Sequence, residues 1–299
     1  MMLKNFGQME QFVREQSGKK RVALAAAHDA DALGSLMMAV DRGIAEAILI
    51  GRRKEIVRVL DEMGKEAGDF RIIEEEDDRA AADKAVELVH CGEADMPMKG
   101  LMHTSTFMKA ILDKEKGLKE DGNLLSQASV FEIPEKDRFL IISDCAVNID
   151  PDLETKIKIT ENAAALAHTL GIEQPKIAVL SAVEVVNPKI RSTVDAAAMR
   201  ERLSDRYLID GPLALDNAID EAAAHHKGIE SPVAGNADIL IVPDLWSGNI
   251  FSKGLVFFAH LRSAGTLNGL KAPVVMSSRT DTVENKYLSI LTAVLQTIR

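Results

Sequence analysis

The sequence predicts an α/β fold with a parallel sheet, and three observations predict it. Short apolar runs alternate with helix-length amphipathic segments along most of the 299 residues, which is the pattern of βαβ units. The runs are rich in Ala, Val, Ile and Leu, as in VALAAA at 22–27 and AEAILI at 45–50, and suit strands covered by helices on both faces. Hydrophobic residues make up 46% and charged residues 27% of the chain, enough for one large aliphatic core or two medium ones.

Taken in order, Asn5–Gln16 reads as a helix, and Val22–Ala27 as a strand that stops at His28-Asp29-Ala30-Asp31. Ala32–Arg42 is helical, and Ala45–Ile50 is a second strand closed by Gly51. Arg52–Met63 is a helix with Ile56, Val59, Leu60 and Met63 on one stripe, the spacing of a buried face. Phe70–Ile73 is a third strand, and the acidic run Glu74–Asp78 leads a helix through Val89. Met96-Pro97-Met98-Lys99-Gly100 carries no predicted element. Leu101–Thr106 opens a helix bearing Lys109, and the charged stretch Leu112–Gly122 reads as a crossover between domains.

Beyond it, Ala128–Ile133 and Phe139–Ile142 are strands joined by the turn-like Pro134-Glu135-Lys136-Asp137. Glu154–Leu170 is a long helix, Lys176–Leu180 a strand and Val194–Leu203 a helix. Tyr207–Asp210 is a strand ending at Gly211-Pro212, followed by a helix over Leu215–His225. Ile239–Val242 is a strand, Gly248-Asn249-Ile250 starts a helix carrying Lys253, and Pro273–Met276 is the last strand. Val283, Tyr287, Ile290, Leu291 and Val294 then recur at helical spacing.

Composition excludes several function classes. No apolar run approaches the ~20 residues of a membrane span, and the polar N-terminus MMLKNFGQMEQFVREQ lacks a signal-peptide core. Two cysteines, Cys91 and Cys145, are too few for a disulfide scaffold or a structural zinc site; the cytoplasm is the expected compartment. A net charge of −10 with no basic stripe argues against nucleic acid. Dinucleotide-loop, P-loop and zincin motifs are absent from the sequence, and no metal site is predicted.

Small polar residues close strand after strand, at 28–31, 103–106, 143–148, 181–184, 210–212, 244–249 and 277–282. Ligands of open α/β sheets bind at such carboxyl ends, so a long cleft for a long phosphate-bearing ligand is expected. The densest cluster is Ser277-Ser278-Arg279-Thr280-Asp281-Thr282, placed between the last strand and the last helix. A helix start attracts phosphate, and the Arg279 fork matches phosphate oxygens. Capping by Thr280, Asp281 or Thr282, with Glu284 beside it, accounts for one of these residues but not for Ser-Ser-Arg. Gly248-Asn249 offers close backbone approach to a ligand. Lys109 and Lys253 each follow a small-polar helix start and are candidate anion contacts. His103 stands beside Thr104 and Ser105, with a backbone-satisfied histidine as the plainer reading. Cys145 reads as a small hydrophobe or cleft-lining thiol before a nucleophile. His225-His226 sits where a cation suits a helix C-terminus.

Taken together, these junctions resemble the phosphate acetyltransferase and phosphate butyryltransferase family. The likeness is carried by Ser143-Asp144-Cys145-Ala146-Val147-Asn148-Ile149-Asp150-Pro151, by Asp210-Gly211-Pro212-Leu213-Ala214-Leu215-Asp216, by Pro243–Ile250 with Lys253, by Ser278-Arg279, and by Gly100-Leu101-Met102-His103-Thr104-Ser105. The resemblance implies two doubly wound α/β domains of the isocitrate/isopropylmalate dehydrogenase kind with the active site in the cleft between them. It implies residues 1–116 with 265–299 in one domain and 117–264 in the other, and a homodimer or higher homo-oligomer. The implied reaction is reversible: acyl-CoA plus phosphate gives acyl phosphate plus CoA, with CoA a substrate and no tightly bound cofactor.

In the resemblance Ser278 and Arg279 match the catalytic pair. His103, Thr104, Ser105, Lys109, Cys145, Asp210, Gly211, Gly248, Asn249, Lys253 and Thr280 fall on substrate-binding segments. Acetyl enzymes carry a proposed aspartate base six residues after the arginine, where this chain has Asn285. Asp281 is the preferred substitute, with Glu284 the alternative. In the histidine segment the acetyl enzymes carry an arginine a little downstream, where the nearest basic residue here is Lys109, offset by one. These departures and the SSRTD wording resemble the butyryl branch more than the acetyl one. Ser278 and backbone N–H groups at 278–282 are expected to stabilise the oxyanion. Two other classes are weighed: an oxidoreductase or decarboxylating dehydrogenase of the same fold, which needs a metal-binding aspartate cluster and a nucleotide loop, neither present in the sequence, and a non-catalytic acyl-CoA-binding protein, for which Asn285 is the hint.

Overall fold

The computed structural model describes every residue except Ser17 and Asp121. The chain makes two compact units, the first from Phe6–Asn123 with Ala264–Arg299 and the second from Met1–Asn5 with Leu124–Ser263. Their boundaries differ from the expected 116/117 and 264/265 for local reasons. Leu3 N–H donates to Leu170 O at 2.9 Å and Lys4 pairs with Asp137 at 2.7 Å, which ties the N-terminus to the second unit. Leu118 N–H donates to Ile111 O and Lys271 N–H to Leu118 O, which keeps that stretch in the first.

The first unit begins α1 (Phe6–Glu15), β1 (Lys20–Ala25), α2 (Ala30–Asp41), β2 (Ala45–Gly51), α3 (Arg53–Glu62), β3 (Arg71–Glu74), α4 (Asp78–His90), β4 (Met96–Lys99) and α5 (Thr104–Ile111). Its strands run parallel in the order β3-β2-β1-β4. Residues 22–27 are essentially inaccessible, as a strand covered on both faces requires. The acidic run serves as a cap, with Asp77 accepting the Ala80 N–H at 2.8 Å. The sequence reading misses β4 because of its proline. Pro97 fits because on that edge it supplies only its carbonyl, to the Val275 N–H at 3.0 Å.

The second unit runs β5 (Ser126–Ile133), β6 (Arg138–Ser143), α6 (Leu153–Thr169), β7 (Lys176–Leu180), α7 (Arg191–Leu203), β8 (Leu208–Leu213), α8 (Leu215–Ile219), α9 (Glu221–His226), β9 (Ile239–Ile241) and α10 (Leu245–Phe257). These strands follow the order β5-β6-β9-β7-β8. β5 and β6 are antiparallel and the other pairs parallel. Three expectations are corrected. β8 runs on through Gly211-Pro212 instead of ending there. The single helix over 215–225 breaks at Asp220, whose carboxylate accepts the Ala223 N–H at 2.8 Å and starts α9. α10 starts before Gly248, because Asp244 caps it through the Ser247 N–H at 2.8 Å.

The chain returns to the first unit through β10 (Ser263–Asn268) and α11 (Val283–Gln296). SAGTLN is small and polar, so β10 gives no apolar signal. Pro273–Met276 is not a full strand: only Val274 and Val275 bridge, to Leu267 and Met98. Thr282 caps α11 by accepting the Asn285 N–H at 3.1 Å, and α11 is buried from Asn285 through Leu295. Glu10 fixes its azimuth, accepting from Tyr287 Oη at 2.8 Å and from Arg42 at 2.6 Å, with Arg42 over the Tyr287 ring at 4.6 Å.

Candidate active site

In the first unit the residues that converge are the Ser278–Asp281 turn, the β4–α5 junction and the start of α11. The turn is built by its own polar groups. Ser278 N–H donates to Asp281 Oδ2 at 2.7 Å, Asp281 N–H to Ser278 O at 3.2 Å, and Thr280 N–H to Ser278 Oγ at 3.4 Å. Ser278 Oγ and Thr280 Oγ1 lie 3.1 Å apart. The expectation that this turn offers several free amides is therefore corrected. The amides of 278, 280 and 281 are spent within it, and the Ser278 hydroxyl is exposed. Asn285 is buried and its backbone N–H is held by Thr282.

Arg279 reaches across to the β4–α5 junction. Its Nη2 lies 3.5 Å from Met102 O and 3.5 Å from His103 Nδ1. Gly100 makes this junction possible. It leaves β4 so close to β1 that its N–H bonds Ala25 O at 2.8 Å. A Cβ there would stand 2.3 Å from Ala26 O. His103 is the N-cap residue of α5 and makes no side-chain cap bond. His103, Thr104 and Ser105 are exposed at the start of α5, and so is Lys109 farther along.

Two lysines that the sequence reading passes over lie at this turn. Lys99, the last residue of β4, and Lys286, in the first turn of α11, are 5% and 3% exposed. Lys99 Nζ donates to Gly100 O at 3.2 Å and Met102 O at 3.5 Å. Lys286 Nζ donates to Asp281 O at 2.5 Å and Arg279 O at 3.4 Å. Burial, then the Arg279 charge, push the Lys99 ammonium below the usual lysine range; Asp29 opposes them and Lys286 adds to them. A signal exists for Lys286, since it stands between Val283 and Ile290 on the stripe that also holds Tyr287, hence on the buried face.

In the second unit the predicted residues do different work. Asp210 pairs with Arg200 at 3.3 Å and accepts the Gly211 N–H at 2.8 Å inside β8. Gly248 lies where a Cβ would come 2.5 Å from Asp144 O. Asn249 Nδ2 donates to Cys145 O at 3.2 Å, and Lys253 is exposed on α10. The organiser of the 143–148 loop is Asp144, which the reading does not single out. Its carboxylate accepts the N–H groups of Ala146 and Val147 at 2.8 and 2.9 Å and Asn148 Nδ2 at 2.6 Å. A groove at the ends of β7 and β9 is floored by Leu180, Val242 and Phe251. Its cations are already matched, Lys156 to Asp195 at 2.7 Å and Arg191 to Asp150 at 3.4 Å.

Cys145 does not line a surface. Its thiol is 2% exposed within the core of the second unit. Burial, with the Asp144 charge second, pushes it up to about 12, far from a thiolate at neutral pH. Cys91 is exposed. A thiol reagent applied to the native protein should therefore modify one cysteine per chain, Cys91, and the second only after unfolding, as a thiol titration with and without denaturant will show.

A family described as Phosphate acetyl/butaryl transferase matches residues 75–294. A phosphate butyryltransferase of Clostridium acetobutylicum is 45% identical over 299 residues, which covers 98% of this chain and 98% of that protein. A phosphate acetyltransferase of Thermotoga maritima is 43% identical over 288 residues, covering 94% and 97%. Among solved structures, a branched-chain phosphotransacylase from Enterococcus faecalis V583 superposes with a TM-score of 0.83 at 35% identity, covering 93% of this chain and 98% of that one. The family match takes in β4, Gly100 and the Ser278–Arg279 turn, and likeness this close along nearly the whole length leaves one assignment: the chain belongs to the phosphate acetyl/butyryl transferase family.

Proposed function

We propose that this chain moves a short acyl group, butyryl in preference to acetyl, between CoA and inorganic phosphate, without a covalent enzyme intermediate. The observation that carries the reading is the self-braced Ser278–Asp281 turn, which presents the exposed Ser278 hydroxyl, shared with Thr280, beside a guanidinium. In the direction of acyl-CoA synthesis the CoA sulfur attacks the acyl carbonyl carbon, the C–S bond forms, and the bond from that carbon to the bridging phosphate oxygen breaks. The electron pair leaves with phosphate, and the thiol proton goes to a carboxylate. Ser278 donates to the carbonyl oxygen as charge develops. Arg279 holds the phosphoryl oxygens. Asp281, half-buried at the turn, takes the proton in place of the aspartate that Asn285 replaces. Holding both reactants in line supplies much of the rate.

The four-carbon preference rests on the Clostridium relative and on Asn285. Two free cysteines suit a reducing cytoplasm. Exposed Trp246, Ile250, Phe257 and Phe258 give α10 and the residue after it an apolar surface, which fits assembly as a homodimer.

The test is release of CoA thiol from acetyl-, propionyl-, butyryl- and isobutyryl-CoA with and without inorganic phosphate. Phosphate-dependent release, fastest on the four-carbon thioesters, is the expected result. No release from any thioester by a protein that still binds CoA would replace this reading with that of an acyl-CoA-binding protein.

A further inference from the structure

We infer that Lys99 and Lys286 join Arg279 in a cradle for the phosphate that the reaction consumes or releases, so that the phosphate site is built largely from side chains inside the first unit. The inference rests on the acyl-transfer reading for the identity of the anion and on independent observations for its place.

The first observation is buried charge without a paired carboxylate. Ammonium groups are seldom fully buried unless paired. Of the three buried lysines among the described residues, Lys156 has Asp195 at 2.7 Å. Lys99 and Lys286 make no carboxylate pair within 4.0 Å among the described residues, and both donate to backbone carbonyls. Both lie at the Ser278–Arg279 turn. An ammonium carries three N–H donors, and carbonyls take two from each lysine. One donor on each is left for a ligand.

The second observation is proximity. Lys99 is near enough to Arg279 and Lys286 for both charges to disfavour its own. Two buried ammonium groups beside the exposed Arg279 guanidinium, with Asp29 opposing them at Lys99, repel one another until an anion joins them. Phosphate carries about −1.5 to −2 charges near neutral pH and several acceptor oxygens, so one phosphate meets the unused donors and the charge together. The third observation is selection against alternatives. Lys109 and Lys253 are exposed, and the groove of the second unit has its cations paired.

Lys286 also braces the turn through Arg279 O and Asp281 O. A bracing role alone would lower turnover without singling out one substrate, and this separates the two roles in a measurement. Lys99→Gln and Lys286→Gln keep N–H donors for the carbonyls and remove the charge; Lys99→Met and Lys286→Met are the second pair. KM for phosphate and for butyryl-CoA are measured separately, together with the unfolding midpoint as inorganic phosphate alone is added. The expected result is a KM for phosphate raised roughly 10–100-fold, as for loss of a hydrogen bond to a charged group, with KM for butyryl-CoA within about twofold. Phosphate should raise the wild-type midpoint, and the Gln variants should lose that rise.

Unchanged KM for phosphate in the Gln variants, or a wild-type midpoint that inorganic phosphate does not move, overturns the cradle. Should a variant fail to unfold cooperatively, the wild-type midpoint and the second pair still decide. If the wild type releases no CoA yet phosphate raises its midpoint and the Gln variants abolish that rise, the acyl-transfer reading fails and the cradle stands.

Discussion

Arg279→Ala is expected to lower kcat/KM by roughly tens to thousands of fold, the range for removing a charge-assisted contact that strengthens in the transition state. The guanidinium lies on the exposed side of the turn, within 3.5 Å of Met102 O and His103 Nδ1. Its removal leaves the turn intact, because Ser278, Thr280 and Asp281 brace one another without it. The loss should therefore appear in turnover with the unfolding midpoint nearly unchanged. Ser278→Ala should fall in the same range, since its amide bond to Asp281 survives while the hydroxyl proposed to meet the oxyanion goes. Asp281→Asn completes the series: it keeps an oxygen for the Ser278 N–H and removes only the basicity, at a cost of roughly 10²–10⁴ in kcat. Steady-state rates on butyryl-CoA with phosphate, read beside thermal unfolding, check all three. Full activity in both Arg279→Ala and Ser278→Ala would remove the site from this turn.

Gly100→Ala is expected to be strongly destabilising to the first unit. The new Cβ would stand 2.3 Å from Ala26 O and 2.6 Å from Ala25 O. Both are backbone atoms of the β1 end, so no side chain can swing away. Relief requires β4 to separate from β1, which breaks the Gly100 N–H bond to Ala25 O and the Leu101 N–H bond to Ala26 O. Overpacking of this kind costs typically about 1–3 kcal/mol and occasionally more, a large share of the margin by which a domain stays folded. The same shift moves Lys99 and His103 on either side of the glycine. Denaturant titration should show a lower midpoint, and at temperatures where the variant is still folded its activity should fall further than the folded fraction.

Much of this protein was legible in its residues because the signals are local. Alternating apolar runs and amphipathic spacing gave α1 to α4 and β1 to β3 to within a few residues, and β7 to the residue. Polar clusters at strand ends pointed to 277–282, and the ordered motifs from Gly100 to Arg279 pointed to the family. Where local signals conflict, the reading failed. Pro97 hid β4, and Asp220 cut one predicted helix into two because its carboxylate recaps the chain.

What only the tertiary structure decided is which charges are buried and what meets them. Lys109, Lys253, Lys99 and Lys286 are chemically identical in the sequence. The first two are exposed. The last two sit beneath the Arg279 turn, because β4 carries Lys99 to the end of the parallel sheet and the buried stripe of α11 carries Lys286. Cys145 and Asn285 likewise look like site residues by position and prove to be buried ones. Sequence fixes a side chain's chemistry and its spacing along one element. Burial and charge compensation depend on residues nearly two hundred positions apart, such as Lys99 and Lys286, and those meet only when the sheet has closed.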